Sequence, residues 1–355
     1  MGKNDSMEQR APTRSERYRE IIGAFGKHGL AAAGALRLAE GDRAQTQATQ
    51  ARLVCEELGP TFIKFGQILS TRGELPPEYR TELAKLQDAM PPVDAAVIEA
   101  EIESELGARP QELYAFFDPV PLASASIGQA HLAKLHDGRE VVVKVRKPGV
   151  RAIVERDLEI LNQLAESSEK YFPDLADLDM AGIVEEFGDT LRAELDYTRE
   201  ARNIRLFRSF FEDDKGFRLP EVIPQLSTAH VLTMTRVGGA RASEAGTLSK
   251  QRRETAAQRI ARFVLEPALL HGIFHADPHP GNILIFEDGA IGVIDFGMVG
   301  TLSDENRRRI ADILMAMQRH DVERVTDRLL QVAPPQDRSI AWRSPRNLAG
   351  SSNAT

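Results

Sequence analysis

Apolar side chains recur at helical spacing through most of the first hundred residues. Ile21, Ile22 and Phe25, followed by Leu53 and Val54, predict a mostly helical stretch from Arg17 to Leu58. Gly59-Pro60 interrupts it, and Phe62, Ile63, Phe65, Ile68 and Leu69 predict the next helix over 61–69. Pro76-Pro77 opens another through Leu86, which Pro91-Pro92 ends, and Ala95 to Leu106 forms one more, closed at Gly107. The pattern changes near Leu113. Residues Ile127 to Leu135 and Glu140 to Val145 read as two β-rich runs joined by His136-Asp137-Gly138. Helices are expected over 153–172 and 180–211, with short strands at Val222-Ile223 and His230–Thr235. Gly238-Gly239 reads as a hinge. Beyond it come a helix over 251–271, a Pro-rich loop, a second hairpin (Ile283–Phe286 and Ala290–Ile294), and helices over 304–320 and 322–332, the first capped by Ser303. No internal repeat is present, and periodicity is lost from Ala333 onward.

These shifts suggest five segments: a disordered N-terminus (1–16), a helical extension (17–110), a mixed lobe (111–237), a second lobe (238–332) and a tail (333–355). In a chain of 355 residues, 53 acidic side chains against 45 basic ones give a net charge of −8, which argues against a broad nucleic-acid surface. The single cysteine, Cys55, excludes an intramolecular disulfide or a Cys-rich metal site and favours a reducing compartment. No segment approaches the roughly 20 apolar residues that span a bilayer. The nearest, Ile21 to Leu38, is broken by Lys27 and His28. The polar opening residues do not read as a signal peptide, and Met1-Gly2 with Ser6 fits only the short N-myristoylation pattern. The expectation is a cytoplasmic protein, compatible with peripheral contact at the inner face of a membrane.

The densest chemistry lies in His275-Ala276-Asp277-Pro278-His279-Pro280-Gly281-Asn282 and the hairpin that follows. With a turn centred on Asp288-Gly289, Ile283 would face Ile294. Asn282 and Asp295 would then leave the same open end with Cα atoms on the order of 5 Å apart. An amide oxygen beside a carboxylate suits a hard cation such as Mg²⁺, its shell completed by phosphate oxygens. Asp277, on the adjoining loop, would orient or deprotonate a nucleophile there. The spacing Asp-x-x-x-x-Asn, then Asp-Phe-Gly after a hairpin, repeats that of a kinase catalytic loop. His275 and His279 flank Pro278 in a non-helical stretch, so a zinc pair is disfavoured and a structural role expected. In the first hairpin, Lys144 sits within Val141–Val145, where a buried charge requires a partner. Glu194, Asp196 and Glu200 offer carboxylates. On one helix Glu194 and Glu200 would point about 120° apart, so they suit two different lysines.

Taken together, LGPTFIKFGQILSTRGELPPEY, KLQDAMPP, PLASASIGQAHLAKLHDG, VVVKVRKPG, ELDYTREARN, HADPHPGNIL and VIDFGMVG resemble the UbiB/ADCK (AarF-type) atypical protein-kinase-like family, from about Arg17 to Leu330. The resemblance implies an α+β, bilobal protein-kinase-like fold in which 111–237 is the N-lobe, 238–332 a partial C-lobe, and 17–110 a helical N-terminal extension. It assigns Lys64, Gly66 and Gln67 to the family's Lys-x-Gly-Gln motif, on a helix that folds over the active site. Ala123, Ser124, Ala125 and Ser126 match the Ala-rich loop that replaces the Gly-rich phosphate loop, with Ser124 a departure from the usual three alanines. Lys144 matches the phosphate-contacting lysine and Glu200 its ion-pair partner. Glu194 and Asp196 match a Glu-x-Asp motif whose partner is Lys64. Asp277 matches the catalytic aspartate, and Asn282 and Asp295 the metal ligands. Family members generally continue through further C-lobe helices. Here the recognisable sequence stops near Leu330, so exposed apolar surface is expected.

The function that this resemblance implies is Mg²⁺-dependent ATP binding, with ATP hydrolysis or phosphorylation of a small or lipid-like molecule in support of ubiquinone or a related isoprenoid quinone. Quinone precursors and quinone-biosynthesis proteins are the implied partners. The alternative is a non-catalytic, ATP-gated scaffold that organises membrane-associated biosynthetic proteins. Protein-kinase activity is disfavoured by the Lys64 helix and by the single glycine, Gly128, near the phosphate loop.

Overall fold

The computed structural model describes residues 13–29, 42–73, 75–86, 90–171 and 179–332. The expectations for 1–12, for 30–38 and for the tail from Ala333 fall outside the described residues. The chain divides into two compact units, one running to Arg202 and including Glu221–Arg236, the other comprising Asn203–Pro220 and the chain from Val237.

In the first unit, α1 (Arg14–Lys27) begins three residues before the expected start, because Thr13 and Glu16 form a reciprocal capping box. It is followed by α2 (Asp42–Leu58), α3 (Pro60–Ser70), α4 (Pro77–Leu83), α5 (Ala95–Leu106) and α6 (Pro110–Leu113). Asp94 caps α5 and Gly107 ends it in the left-handed conformation. Three strands come next, β1 (Phe116–Ser124), β2 (Gly128–Lys134) and β3 (Glu140–Arg146), then α7 (Val150–Tyr171), α8 (Met180–Glu194), α9 (Tyr197–Phe210, which ends in the second unit) and β4 (Val231–Thr235).

One core joins α1–α4 to α7 and α8 through Ile21, Val54, Phe62, Leu158, Phe187 and Leu191. Arg17 locks α1 into it. Its guanidinium donates to both oxygens of Asp157 (2.7 and 3.0 Å) and to the Leu58 carbonyl (2.6 Å). Removing one partner of such a buried pair typically costs about 3–5 kcal/mol. The four strands form an antiparallel sheet in the order β1-β2-β3-β4. Val141, Val143 and Val145 pack one face of it on Ile98 and Ile102 of α5. Strand β1 was not anticipated. Its Pro119 and Pro121 hide the alternating pattern, and its pairing is irregular around them.

The single helix expected over 180–211 is two. Helix α8 stops at Glu194, and Arg146 takes the Leu195 carbonyl at 2.9 Å. Asp196 then accepts from the amide and hydroxyl of Thr198 (3.0 and 2.6 Å) to start α9. Glu194 and Glu200 therefore lie on different helices, so the angle drawn on one helix does not apply.

In the second unit, β5 (Ala240–Arg241), α10 (Lys250–His271), β6 (Ile273–His275), β7 (Ile283–Ile285), β8 (Ile291–Val293), β9 (Val299–Thr301), α11 (Asp304–Gln318) and α12 (Val322–Val332) follow in order. Strands β5-β7-β8 make one small sheet and β6-β9 another. Phe207, Phe211, Phe217, Phe263 and Phe296 form a ring-on-ring core. Leu270, Met317, Val322 and Leu329 are exposed. No helix among the described residues is long and apolar enough to cross a membrane.

The second hairpin pairs one residue out of the expected register. Ile283 faces Val293 rather than Ile294. The Phe286 amide bonds the Ala290 carbonyl (2.8 Å) around a three-residue loop, and Gly289 takes a positive φ of 75°. The first hairpin uses the same device at His136-Asp137-Gly138, with Gly138 at φ 92°.

Candidate functional site

Two groups of side chains, one in each unit, carry the chemistry. In the first unit the strand period of two sorts β3 into a core face and an open one. Val142 and Lys144 are half-buried on the open face. Cross-strand register sets Ala130 and Leu232 beside Lys144, and Leu132 and Met234 beside Val142. Lys144 thus sets a charge among these apolar side chains. Its Nζ meets Glu200 Oε1 at 2.5 Å, and the two side chains are only 18 % and 6 % exposed. The α8–α9 break makes this contact, since Glu200 lies in the first turn of α9.

The Ala-rich loop closes the same sheet edge. Ala123 and Ser124 still pair with Ala130 and Gln129, the Ala125 amide bonds the Gly128 carbonyl at 2.9 Å, and Ser126 is buried. Gly128 has no room for a side chain. A Cβ there would lie 2.9 Å from the Val145 carbonyl and closer still to the Tyr197 hydroxyl.

Each residue of the Lys-x-Gly-Gln motif has a separate physical role. Lys64 pairs with Glu194 at 3.1 Å. Gly66 permits close packing, because a Cβ would press into Leu86 and lie 3.3 Å from Cys55 Sγ and from Leu83. Gln67 donates to the Leu86 carbonyl at 3.0 Å. Burial, with Glu56 nearby, pushes the Cys55 thiol up to about 12. Asp196 is not in an ion pair with Lys64. It caps α9, and although burial opposes it, the Thr198 hydroxyl and amide with Arg199 and Arg202 hold its carboxyl below the usual value.

The second group is organised by His275. This residue is buried among Phe207, Phe263 and Phe296. Its Nε2 donates to the Asp295 carbonyl at 2.7 Å, and its Nδ1 accepts from the Asp277 amide at 3.2 Å. With both ring nitrogens engaged it is a structural residue, as expected, and it fixes the backbones of Asp277 and Asp295 together. His279 Nδ1 accepts from the Gly281 amide at 3.0 Å. The Asp295 carboxylate accepts from the Gly297 amide at 2.9 Å. The Asn282 carbonyl accepts from the Ile294 amide at 3.1 Å, so Asn282 and Asp295 leave the same hairpin end diagonally rather than directly opposed. An amide oxygen and a carboxylate there form a hard-oxygen donor set that fits Mg²⁺.

Two features escaped sequence reasoning. Lys147 donates to the Ala125 carbonyl at 2.7 Å and reaches the Pro91 carbonyl at 3.4 Å. Nothing in sequence spacing signals a lysine that binds main-chain carbonyls. Glu101, Glu105 and His230 also converge, the one metal-like cluster among the described residues. Arg146 points a guanidinium N–H at His230 Nε2, so Nδ1–H is directed to Glu101 (3.0 Å) and Glu105 (2.8 Å). That makes a hydrogen-bonded network rather than a cation cage.

Comparison with known proteins identifies the family. Residues 85–329 match the ABC1 atypical kinase-like domain. A probable protein kinase UbiB of Pseudomonas putida is 40% identical over 281 residues, which cover 77% of this chain and 52% of that protein. An uncharacterized protein of Synechocystis is 39% identical over 293 residues, 81% of this chain and 50% of its own length. Among solved structures, the Mycobacterium tuberculosis protein Rv3197, in its erythromycin complex, aligns with a TM-score of 0.55 and 26% identity, covering 82% of this chain and 74% of that one. The chain belongs to the UbiB/ADCK family of ABC1 atypical kinase-like proteins, with the α+β kinase-like fold. It spans about half the length of the curated relatives it matches.

Proposed function

We propose that the protein binds ATP with Mg²⁺ and transfers or hydrolyses the terminal phosphoryl group. The observation that carries this reading is the Lys144–Glu200 pair, set at 2.5 Å on the open face of the sheet beside the Ala-rich loop. Glu200 orients the Lys144 ammonium, which neutralises phosphate charge. Ala130, Leu132, Val142 and Met234 offer the base an apolar seat, and residues 123–126 cover the phosphates. Asn282 and Asp295 would hold Mg²⁺, which would supply charge neutralisation at the phosphates. Asp277 orients the attacking oxygen and accepts its proton, held by the His275 hydrogen bond to its amide.

The acceptor is water or a small or lipid-like molecule, in the setting of isoprenoid quinone synthesis. Lys64–Glu194 acts as a gate and not as part of the chemistry. Thermal unfolding with and without ATP and Mg²⁺ tests the reading, since a ligand of the native state must raise stability. A rise in Tm is expected with both present, and Asp295→Asn should lose the Mg²⁺-dependent part. No shift at millimolar nucleotide would refute it.

A further inference from the structure

The phosphate loop is tied down from outside. The Met90 amide donates to the Ser124 carbonyl at 3.1 Å, and the Ser124 hydroxyl reaches the Pro91 carbonyl at 3.4 Å. The Val93 amide bonds the side-chain oxygen of Gln129, the residue that pairs with Ser124. Lys147 spans both layers, its ammonium bonding Ala125 on the loop (2.7 Å) and Pro91 on the strap (3.4 Å). Its own amide donates to the Ile127 carbonyl at 2.9 Å. Residues 90–93 therefore lie across residues 124–129 as a strap with Lys147 as the clasp. Pro91 and Pro92 stiffen that strap, because each fixes its φ.

Leu86, earlier in the sequence, is held by the Lys-x-Gly-Gln helix. Gln67 bonds the Leu86 carbonyl at 3.0 Å, and Gly66 lets Leu86 pack directly on α3.

We propose that Lys147 is a positioning residue. It clasps the 90–93 strap onto the Ala-rich loop and sets the rate at which nucleotide enters and leaves. This inference rests on the nucleotide reading of the loop. Opening the loop requires breaking the Lys147 and Met90 bonds together. Loss of a charge-assisted bond should therefore speed both association and dissociation and leave the equilibrium constant nearly unchanged.

The test is stopped-flow measurement of a fluorescent ADP analogue with Mg²⁺ on the full chain. Lys147→Met should release nucleotide roughly tenfold faster, with Kd within about twofold, and Lys147→Arg should restore the slow rate. Met90→Pro, which deletes the amide donor to Ser124, should act in the same direction. Amide exchange at Ala125 should quicken in Lys147→Met whether or not nucleotide is present. If the wild-type chain binds nucleotide and Lys147→Met and Met90→Pro both release it at the wild-type rate, the strap is wrong and the nucleotide reading stands. If the wild-type chain binds no nucleotide, both are wrong. If Lys147→Met weakens Kd tenfold without changing the exchange of Ala125, Lys147 touches the ligand itself and the clasp is refuted.

Discussion

Two of the lysine–glutamate pairs among the described residues of the first unit are buried to nearly the same degree, but their surroundings differ. Lys144 and Glu200 are 18 % and 6 % exposed, and Lys64 and Glu194 are 21 % and 11 % exposed. Burial and pairing alone do not tell them apart. Lys144, however, belongs to a central strand bordered on both sides by ladder partners, while Lys64 projects from a helix seated on other helices. A strand fixes a charge against a flat apolar face on which a nucleotide can lie. A helix can shift as a body and bring or withdraw its charge. On the proposed reading, the same chemical pair serves as part of a site in one setting and as a latch in the other.

The sharpest way to break this comparison is to remove the strand lysine. Lys144→Ala should lower phosphate release by about 10²–10³-fold, the usual cost of losing one preorganised group that stabilises transition-state charge. Turnover within a few-fold of wild type would place the phosphates elsewhere. A smaller effect is expected from Gly66→Ala, which forces a methyl between α3, Leu86 and Cys55. Overpacking of this kind costs about 1–3 kcal/mol and should lower Tm by several degrees. The same variant should render Cys55 open to alkylation at pH 8. In the wild type, burial pushes the thiol up to about 12, so almost no thiolate is present below that pH. Rapid alkylation of the wild type would show that α3 already lifts away from α2.

Much of this contrast was legible in the sequence. Helix α5 and helix α12 match the expected bounds to the residue, because Gly107 and the turn before Val322 mark their ends. The first hairpin was read correctly, since three residues, His136-Asp137-Gly138, stand between two β-rich runs. The second was read one residue out because Asp288-Gly289 looks like a two-residue turn. Only the pairing of Phe286 with Ala290 shows that Glu287 belongs to the loop. The break between α8 and α9 was missed for a related reason. Asp196 reads as one more polar helix position until its bonds to Thr198 are seen. Strands β6 and β9 are three residues each and, unlike the equally short β7 and β8, are not joined by a turn signal. The pairing of Lys144 with Glu200 and of Lys64 with Glu194 came from motif resemblance, whereas the Lys147 clasp had no signature at all.

The most direct measurement of the central claim is ATP affinity in the presence of Mg²⁺, taken side by side for the wild type, Lys144→Ala and Lys64→Ala. Removing the strand lysine should weaken binding by roughly tenfold or more, as loss of a charged hydrogen bond to phosphate requires. Removing the helix lysine should leave ATP bound while shifting the preference between nucleotides. Equal losses in both variants, or a larger loss for Lys64→Ala, would contradict the division into one binding lysine and one gating lysine.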